Sequence, residues 1–323
     1  MTCDSRAKQT STYNDDVKSL DNIDKRIIFA LDQDCRLSYQ AIADRIGLTA
    51  NAAKKRVAKL VESGLIDQFL ITPSFAMMKA DLVLSIVQTD GTEYQEDLIE
   101  AMGSNPSVAQ VSSVACGMGG LYVVFAALSG SRALLEFGSQ IRKLESVTDV
   151  DIHVLLYPKG KKVKLSKTQK TVLRYLVENT RATIVDVAKA TGMTSRRARR
   201  AIDDLNQGEG VDFSVLWNLG IGGLTEVFMK IAWDEKSTTT DEIVQWLHEN
   251  FPDEFWSPFI SAVAPIIFAR FVVSEIEIAE TISRAIRRAP FVDSVASLVL
   301  YSNNIFDWPG TVELKKLIDT PQS

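Results

Sequence analysis

The feature that most constrains this chain is that it matches itself. Sliding its 323 residues by 145 aligns residues 20–60 with 165–205 without a gap, and nine of those 41 positions are identical. The identities are Leu20/Leu165, Lys25/Lys170, Leu31/Leu176, Arg36/Arg181, Ala43/Ala188, Gly47/Gly192, Thr49/Thr194, Ala53/Ala198 and Leu60/Leu205. They comprise helix-core residues, a turn glycine and a helix-capping threonine, positions that a small helical domain cannot vary freely. Ile86/Ile231, Asn105/Asn250, Ser129/Ser274, Ile141/Ile286, Arg142/Arg287 and Val150/Val295 keep the same offset. The chain therefore reads as two copies of one unit, about 20–157 and 165–302.

Each copy opens with three helix patterns. In copy one, Ile23, Ile27, Ile28 and Leu31 form an apolar stripe. Ser38 caps a second helix beginning at Tyr39, in which Ile42 and Ile46 face inward. Gly47 and Leu48 make a turn, and Thr49 opens a third helix to Ser63 with Ala53, Val57 and Leu60 inward and Asn51, Lys54 and Lys55 outward. Copy two places a helix over Thr183–Thr191, a turn at Gly192 and Met193, and a helix over Thr194–Leu205 capped by Thr194. Ala198, Ile202 and Leu205 form its inner stripe, leaving Arg196, Arg199 and Arg200 outward. Two helices joined by a tight glycine turn make a helix-turn-helix. Arg196, Arg197, Arg199 and Arg200 repel one another by a few tenths of a kcal/mol per pair, which a polyanionic partner relieves. The alternative is a solvated cationic face.

Behind each helical domain the pattern becomes βαββαβ. Copy one shows strand signals at Asp81–Thr89, Ser107–Ala115, Tyr122–Leu128 and Val147–Leu156, with helices over Glu93–Ser104 and Ser131–Leu144. Copy two repeats them at Thr225–Trp233, Glu254–Val263, Ile266–Val273 and Val292–Tyr301, with helices over Thr239–Asn250 and Ile276–Arg288. That order predicts an α+β fold, two tandem copies of a helix-turn-helix domain followed by a ferredoxin-like sandwich. Two helices cover one sheet face, so the other must meet a sheet, a domain or water. The expected division is a disordered tail at 1–19, helix-turn-helix domains at 20–66 and 165–210, and sandwiches at 67–157 and 211–302. A basic linker at 158–164 and a C-terminal extension at 303–323 complete it, the latter with Val312, Leu314, Leu317 and Ile318 suggesting a short docking helix.

The net charge of −5 is unevenly shared: residues 20–66 carry +2, 67–157 carry −7, 158–207 carry +9 and 208–323 carry −9. Cationic modules alternate with anionic ones, so only the helical domains suit phosphate. The linker lysines, Lys161 and Lys162 among them, can reach phosphate without fixed structure, or serve as a solubilising hinge. No apolar run is long enough to span a bilayer and residues 1–19 lack a signal-peptide core, which predicts a cytoplasmic protein without membrane contact. Cys3, Cys35 and Cys116 are unpaired in spacing, predicting reduced thiols and no metal site, and no cofactor motif appears.

The run L-D-x-x-D-K-R-I-I at Leu20–Ile28, A-I-A-D-R-I-G-L-T at Ala41–Thr49 and K-R-V-A-K-L-V-E-S-G-L-I at Lys55–Ile66 resembles the opening signature of the Lrp/AsnC, or feast/famine, regulators. The signature's recognition-helix arginine falls on Arg56 and its helix-ending glycine on Gly64, whereas copy two has Ala201 and Glu209 there. The resemblance implies double-stranded DNA as partner, homo-oligomerisation through the sandwiches and a small-molecule effector. Family members usually carry one unit per chain, so this chain resembles a tethered dimer whose operator need not be palindromic. The implied DNA-binding residues are Ser38, Tyr39, Thr49, Asn51, Lys54, Lys55, Arg56, Lys161, Lys162, Thr194, Ser195, Arg196, Arg197, Arg199 and Arg200. The effector turn falls on Gly117, Gly119 and Gly120, but no aspartate follows Gly117 as in the family, and Pro265 stands in the equivalent turn of copy two.

Other readings are a DNA-architectural protein with little sequence preference and a ligand-sensing scaffold. Some relatives of this architecture decarboxylate sirohaem using histidines. Here His153 on a strand and His248 near a helix end read as surface or capping residues, so no enzyme is expected. Arg270, on a strand face with Ile266, Phe268 and Val272, reads as an edge residue snorkelling to water or, the favoured expectation, as pairing with a carboxylate across a sandwich interface.

Overall fold

A computed structural model describes residues 20–115 and 120–320. The elements run α1 (Asn22–Gln33), α2 (Tyr39–Ile46), α3 (Ala50–Glu62), β1 (Ile66–Pro73), α4 (Phe75–Met78), β2 (Asp81–Thr89), α5 (Gln95–Gly103), β3 (Val108–Val114), β4 (Leu121–Leu128), α6 (Gly130–Arg142) and β5 (Val147–Leu156). Much the same order recurs as α7 (Lys167–Leu176), α8 (Ile184–Thr191), α9 (Ser195–Gln207), β6 (Val211–Trp217), a 3₁₀ turn at Leu219–Gly222, β7 (Thr225–Trp233), α10 (Thr240–Asn250), β8 (Phe255–Ser261), β9 (Ile266–Val273), α11 (Ile276–Arg287) and β10 (Val292–Ile305). A last helix, α12 (Pro309–Asp319), stands where a docking helix was expected; of its four apolar residues Leu314 and Ile318 are buried, Leu317 is half-buried and Val312 is exposed.

These elements sort into two compact units that cut across the sequence order. One comprises Asp21–Ala80, Pro158–Asn218 and the described residues from Pro309 on, and the other Asp81–Tyr157 and Leu219–Trp308. The first holds both helix-turn-helix domains, joined by a two-stranded antiparallel ribbon in which β1 pairs with β6 from Ile66 opposite Trp217 to Pro73 opposite Val211. Around this ribbon the domains exchange arginines. Arg36 donates from Nη1 to the carbonyl of Thr180 and from Nη2 to that of Ala182 at 3.0 Å. Arg181 donates from Nη1 to Cys35 O and from Nη2 to Leu37 O at 3.1 Å. Its guanidinium also lies 5.1 Å from the Tyr39 ring centroid and 5.3 Å from that of Phe69, within cation–π range. Burial pulls the Arg36 pKa down from its usual value, the expected sign for a cation stripped of water.

The linker at 158–164 is built into the same unit rather than left without structure. Ala76 N–H donates to Lys159 O (2.7 Å), Lys161 N–H to Glu209 O (2.6 Å) and Ser74 Oγ to Lys161 O (3.1 Å). Gly160 sits at φ +63° with Glu209 O only 2.5 Å from where a Cβ would stand, so a side chain there has neither the backbone freedom nor the room.

The second unit corrects the expectation of separate sandwiches. Each half keeps the ferredoxin-like strand order, β3-β4-β2-β5 and β8-β9-β7-β10, but the two sheets join at both edges into one closed eight-stranded barrel. Strand alternation explains why closure is favoured. On one face Val83, Val87, Val124 and Ala126 pack under α5 and α6, and Val227, Met229, Ile231, Ile267 and Phe271 pack under α10 and α11. The alternate residues, including Phe125, Phe228, Phe259 and Phe268, have no helix to cover them and meet inside the barrel, the first three with ring centroids 5.4–5.9 Å apart. Closure also satisfies edge N–H and C=O groups that two open sheets would leave exposed.

The two seams differ in length. β10 runs along β3 from Leu300 opposite Val114 to Ile305 opposite Gln110, whereas β5 meets β8 only at Leu155 opposite Ser261 and Leu156 opposite Ile260. The short ladder stops where its continuation would set Pro158 against Pro258, neither of which has an N–H to donate. The ladders also refine the repeat. Asp81 lies opposite Leu128 and Thr225 opposite Val273, so β2 corresponds to β7 with one residue fewer than the offset of 145, and Ile231 matches Val87 rather than Ile86.

Arg270 pairs with Glu226, Nε to Oε1 at 2.6 Å, with side chains 15% and 4% exposed. The carboxylate stands on the neighbouring strand of the same half, so the expected pairing across an interface is corrected. Two substitutions test these arrangements. Arg181→Ala, which strips the donor from two carbonyls, lowers unfolding free energy by about 2–3 kcal/mol in urea titration, and Arg36→Ala does the same. Arg270→Phe removes the cation beside the buried Glu226 carboxylate, to which Asn303 Nδ2 still donates at 3.2 Å, and costs about 3 kcal/mol by the same measurement.

Candidate nucleic-acid interface

The two helices expected to read DNA, α3 and α9, are built alike. α2 ends at Gly47 (φ +83°) and α8 at Gly192 (φ +67°), left-handed positions that glycine adopts without strain and that turn the chain sharply into the next helix. Thr49 Oγ1 accepts the Ala52 N–H at 3.2 Å and Thr194 Oγ1 the Arg197 N–H at 3.3 Å, fixing the first turns of α3 and α9. Ser38 Oγ caps α2 in the same way, accepting from Ala41 N–H at 3.1 Å. Hydroxyls foreseen at the interface thus hold the helices that present it.

Ala53, Val57 and Leu60 of α3 and Ala198, Ile202 and Leu205 of α9 are buried, as their spacing predicts, and Ala201 is buried beside them. The opposite faces present Asn51, Lys54 and Lys55 on α3 and Ser195, Arg196, Arg199 and Arg200 on α9, all exposed. No side-chain bond or ion pair engages Asn51, Lys54, Lys55, Arg196, Arg199 or Arg200 among the described residues.

Two arginines of the expected set are engaged internally. Arg56 Nη1 lies 2.8 Å from Asp21 Oδ2 and 2.7 Å from Asp24 Oδ1, tying α3 to the start of α1. Partial burial opposes ionisation of Asp21, but the Asp24 N–H and the Arg56 guanidinium outweigh it and hold the carboxyl below its usual range. Arg197 donates from Nη2 to Thr168 Oγ1 at 2.8 Å, tying α9 to α7. Tyr39 lies under Arg181, and Lys161 pairs with Glu209 at 3.2 Å, whereas Lys162 is exposed.

Gly117 and Gly119 lie outside the described residues. Gly120 donates its N–H to Thr89 Oγ1 at 2.8 Å, and a Cβ there would stand 2.0 Å from Glu93 Oε1, so a side chain at this position displaces the Glu93 carboxylate. His153 departs from expectation: it is 2% exposed, with Nδ1 2.9 Å from Ser261 Oγ and Nε2 3.0 Å from Asp151 Oδ2. Lys230 reaches the same Asp151 oxygen at 2.6 Å. His248 is exposed near the end of α10, as foreseen, its ring 4.7 Å from that of Phe255. Among the described residues no group of His, Cys, Asp or Glu has metal-binding geometry, and no helix is long and apolar enough to cross a membrane.

Sequence reasoning passed over Arg36 and Arg181 as functional positions, although their identity across the repeat was a signal. It also missed how fully charge follows the spatial units. The unit with α3 and α9 holds 24 Lys and Arg against 15 Asp and Glu, net +9, and residues 81–157 and 219–308 together hold 9 against 23, net −14.

Residues 20–67 match a winged helix-turn-helix DNA-binding family model. A Pyrococcus abyssi protein described as an uncharacterised HTH-type transcriptional regulator is 28% identical over 142 residues, covering 42% of this chain and 92% of that one. A Pyrococcus furiosus protein of like description is 27% identical over 77 residues, 24% of this chain and about half (52%) of its own length. Among solved structures, a siroheme decarboxylase, NirDL, superposes with a TM-score of 0.51 at 13% identity over 92% of this chain and 98% of its own, a likeness of fold. Escherichia coli AsnC aligns with 45% of this chain and 97% of its own at 18% identity and a TM-score of 0.33. The opening signature of residues 20–66 thus stands on a winged helix-turn-helix DNA-binding domain, and the chain is similar to HTH-type transcriptional regulators along nearly the whole length of one of them.

Proposed function

We propose that this DNA-binding regulator works as a tethered pseudo-dimer, one chain carrying two copies of a regulator unit, and that both α3 and α9 contact the duplex. The observation that carries this reading is the placement of two capped helices, each with an exposed polar or cationic face, in one unit of net charge +9. On α3 the contacting set is Asn51, Lys54 and Lys55, with Arg56 orienting the helix. On α9 it is Arg196, Arg199 and Arg200, with Arg197 orienting. Lys162 adds a phosphate contact. The acidic barrel supports homo-oligomerisation and effector binding while repelling DNA.

Salt-titrated gel shifts on a duplex recovered by selection and on random duplexes test this. The selected duplex keeps its advantage at every salt concentration. Replacing Arg196, Arg199 and Arg200 by alanine weakens both complexes and reduces the log–log salt slope by about 0.9 for each phosphate that is no longer neutralised. Equal affinity for all duplexes would instead support an architectural protein, and no shift at low salt a scaffold.

The likeness to a siroheme decarboxylase favours a second reading, in which the barrel acts on a tetrapyrrole. Our reading is that the chain is not an enzyme, and titrating sirohaem leaves its Soret band unshifted. A saturable shift, lost in His153→Ala, would support decarboxylase-like binding.

A further inference from the structure

The two reading helices are equivalent in build and different in chemistry, and the difference falls where bases are read. α3 and α9 are each 13 residues long, each follows a threonine cap, and each presents its second, fifth and sixth residues free of internal partners. These are Asn51, Lys54 and Lys55 in one helix and Arg196, Arg199 and Arg200 in the other. In a helix-turn-helix the N-terminal residues of the second helix reach base edges in the major groove. The second residue is therefore the reader in each copy, and the later cations are placed for phosphate or for neighbouring bases.

An asparagine carboxamide offers one acceptor and one donor group side by side, which matches the N6 amino group and N7 of adenine. A guanidinium offers only donors, which matches O6 and N7 of guanine. Two further guanidinium groups on these helices, Arg197 and Arg56, are held by Thr168 and by Asp21 and Asp24, and Arg199 and Arg200 stand one turn further along α9 than Arg196. The contrast is also fixed in space. The β1–β6 ribbon and the reciprocal bonds of Arg36 and Arg181 hold both helices in one unit, so each helix meets its own half-site without exchange of roles.

We infer that Asn51 selects adenine and Arg196 selects guanine at equivalent steps of two half-sites, so that the operator is a pseudo-palindrome broken at that step. This rests on the DNA-binding reading above and goes beyond it in naming the bases and the residues that choose them.

The test is in vitro selection from randomised duplexes with the full chain, followed by the same selection with Asn51→Arg and with Arg196→Asn, both exposed positions checked by melting temperature. The full chain enriches two half-sites, about one helical turn (~34 Å) or a multiple apart, with adenine in one and guanine at the matching step of the other. Asn51→Arg turns the first half to guanine and makes the site symmetric, and Arg196→Asn turns the second to adenine. In competition binding each change shifts preference between the two bases by about tenfold or more. If a two-part motif emerges but neither substitution alters its bases, the assignment of Asn51 and Arg196 is wrong while DNA binding by both helices stands. If the natural chain selects the same base in both halves, the inference is likewise overturned. If no duplex is enriched or bound at low salt, the DNA-binding reading itself fails and takes the inference with it.

Discussion

The arrangement of α3 and α9 depends on a pair of arginines that each leave their own domain to satisfy the other. Arg36 serves the carbonyls of Thr180 and Ala182, and Arg181 those of Cys35 and Leu37, so the acceptors lie one residue to either side of the partner arginine. Arginine suits this task because its planar fork spans two carbonyls and keeps its charge at any physiological pH. A lysine would reach one carbonyl and leave the other unpaired. The clasp also explains Cys35, whose thiol is pushed up to about 12 by burial, so it stays a protonated, packed side chain beside the guanidinium.

Charge separation between the two units follows from what each must bury. The helical unit faces its cations outward from small apolar cores, whereas the barrel draws some of its charge inward. Glu226 with Arg270, and Asp151 with Lys230 and His153, line the interior beside phenylalanines. Such groups are tolerated because each has a partner of opposite charge at hydrogen-bonding distance. They also mark the interior face as something other than a simple apolar core, in contrast with the clusters under the helices.

Local structure was legible in the sequence wherever it is decided locally. Caps at Ser38, Thr49 and Thr194, the glycine turns and the inner stripes of α3 and α9 follow from spacing and side-chain chemistry. What escaped was decided by partners distant in sequence. The barrel forms because two sheets share an uncovered face, and a single copy contains no information about which sheet will cover it. The one-residue slip between β2 and β7 was hidden because chance identities persist at the wrong offset, although in a strand a slip of one exchanges inside for outside. His153 looked like a surface residue because its partner Ser261 is 108 positions away. Arg56 looked like a reader because its partners precede it by 35 and 32 positions.

The interleaving of the two copies has a consequence for how the chain is made. β1 is synthesised about 145 residues before β6, its only ladder partner, and β3 nearly 190 residues before the β10 segment that completes its seam. During translation the first copy emerges with a bare strand edge and an uncovered apolar sheet face, the features that promote association between nascent chains. The dominance of such distant pairings makes closure of the native structure slow compared with formation of its helices. Residues 67–157 carry net −7, and like charge of that size opposes the approach of neighbouring half-made chains through that interval.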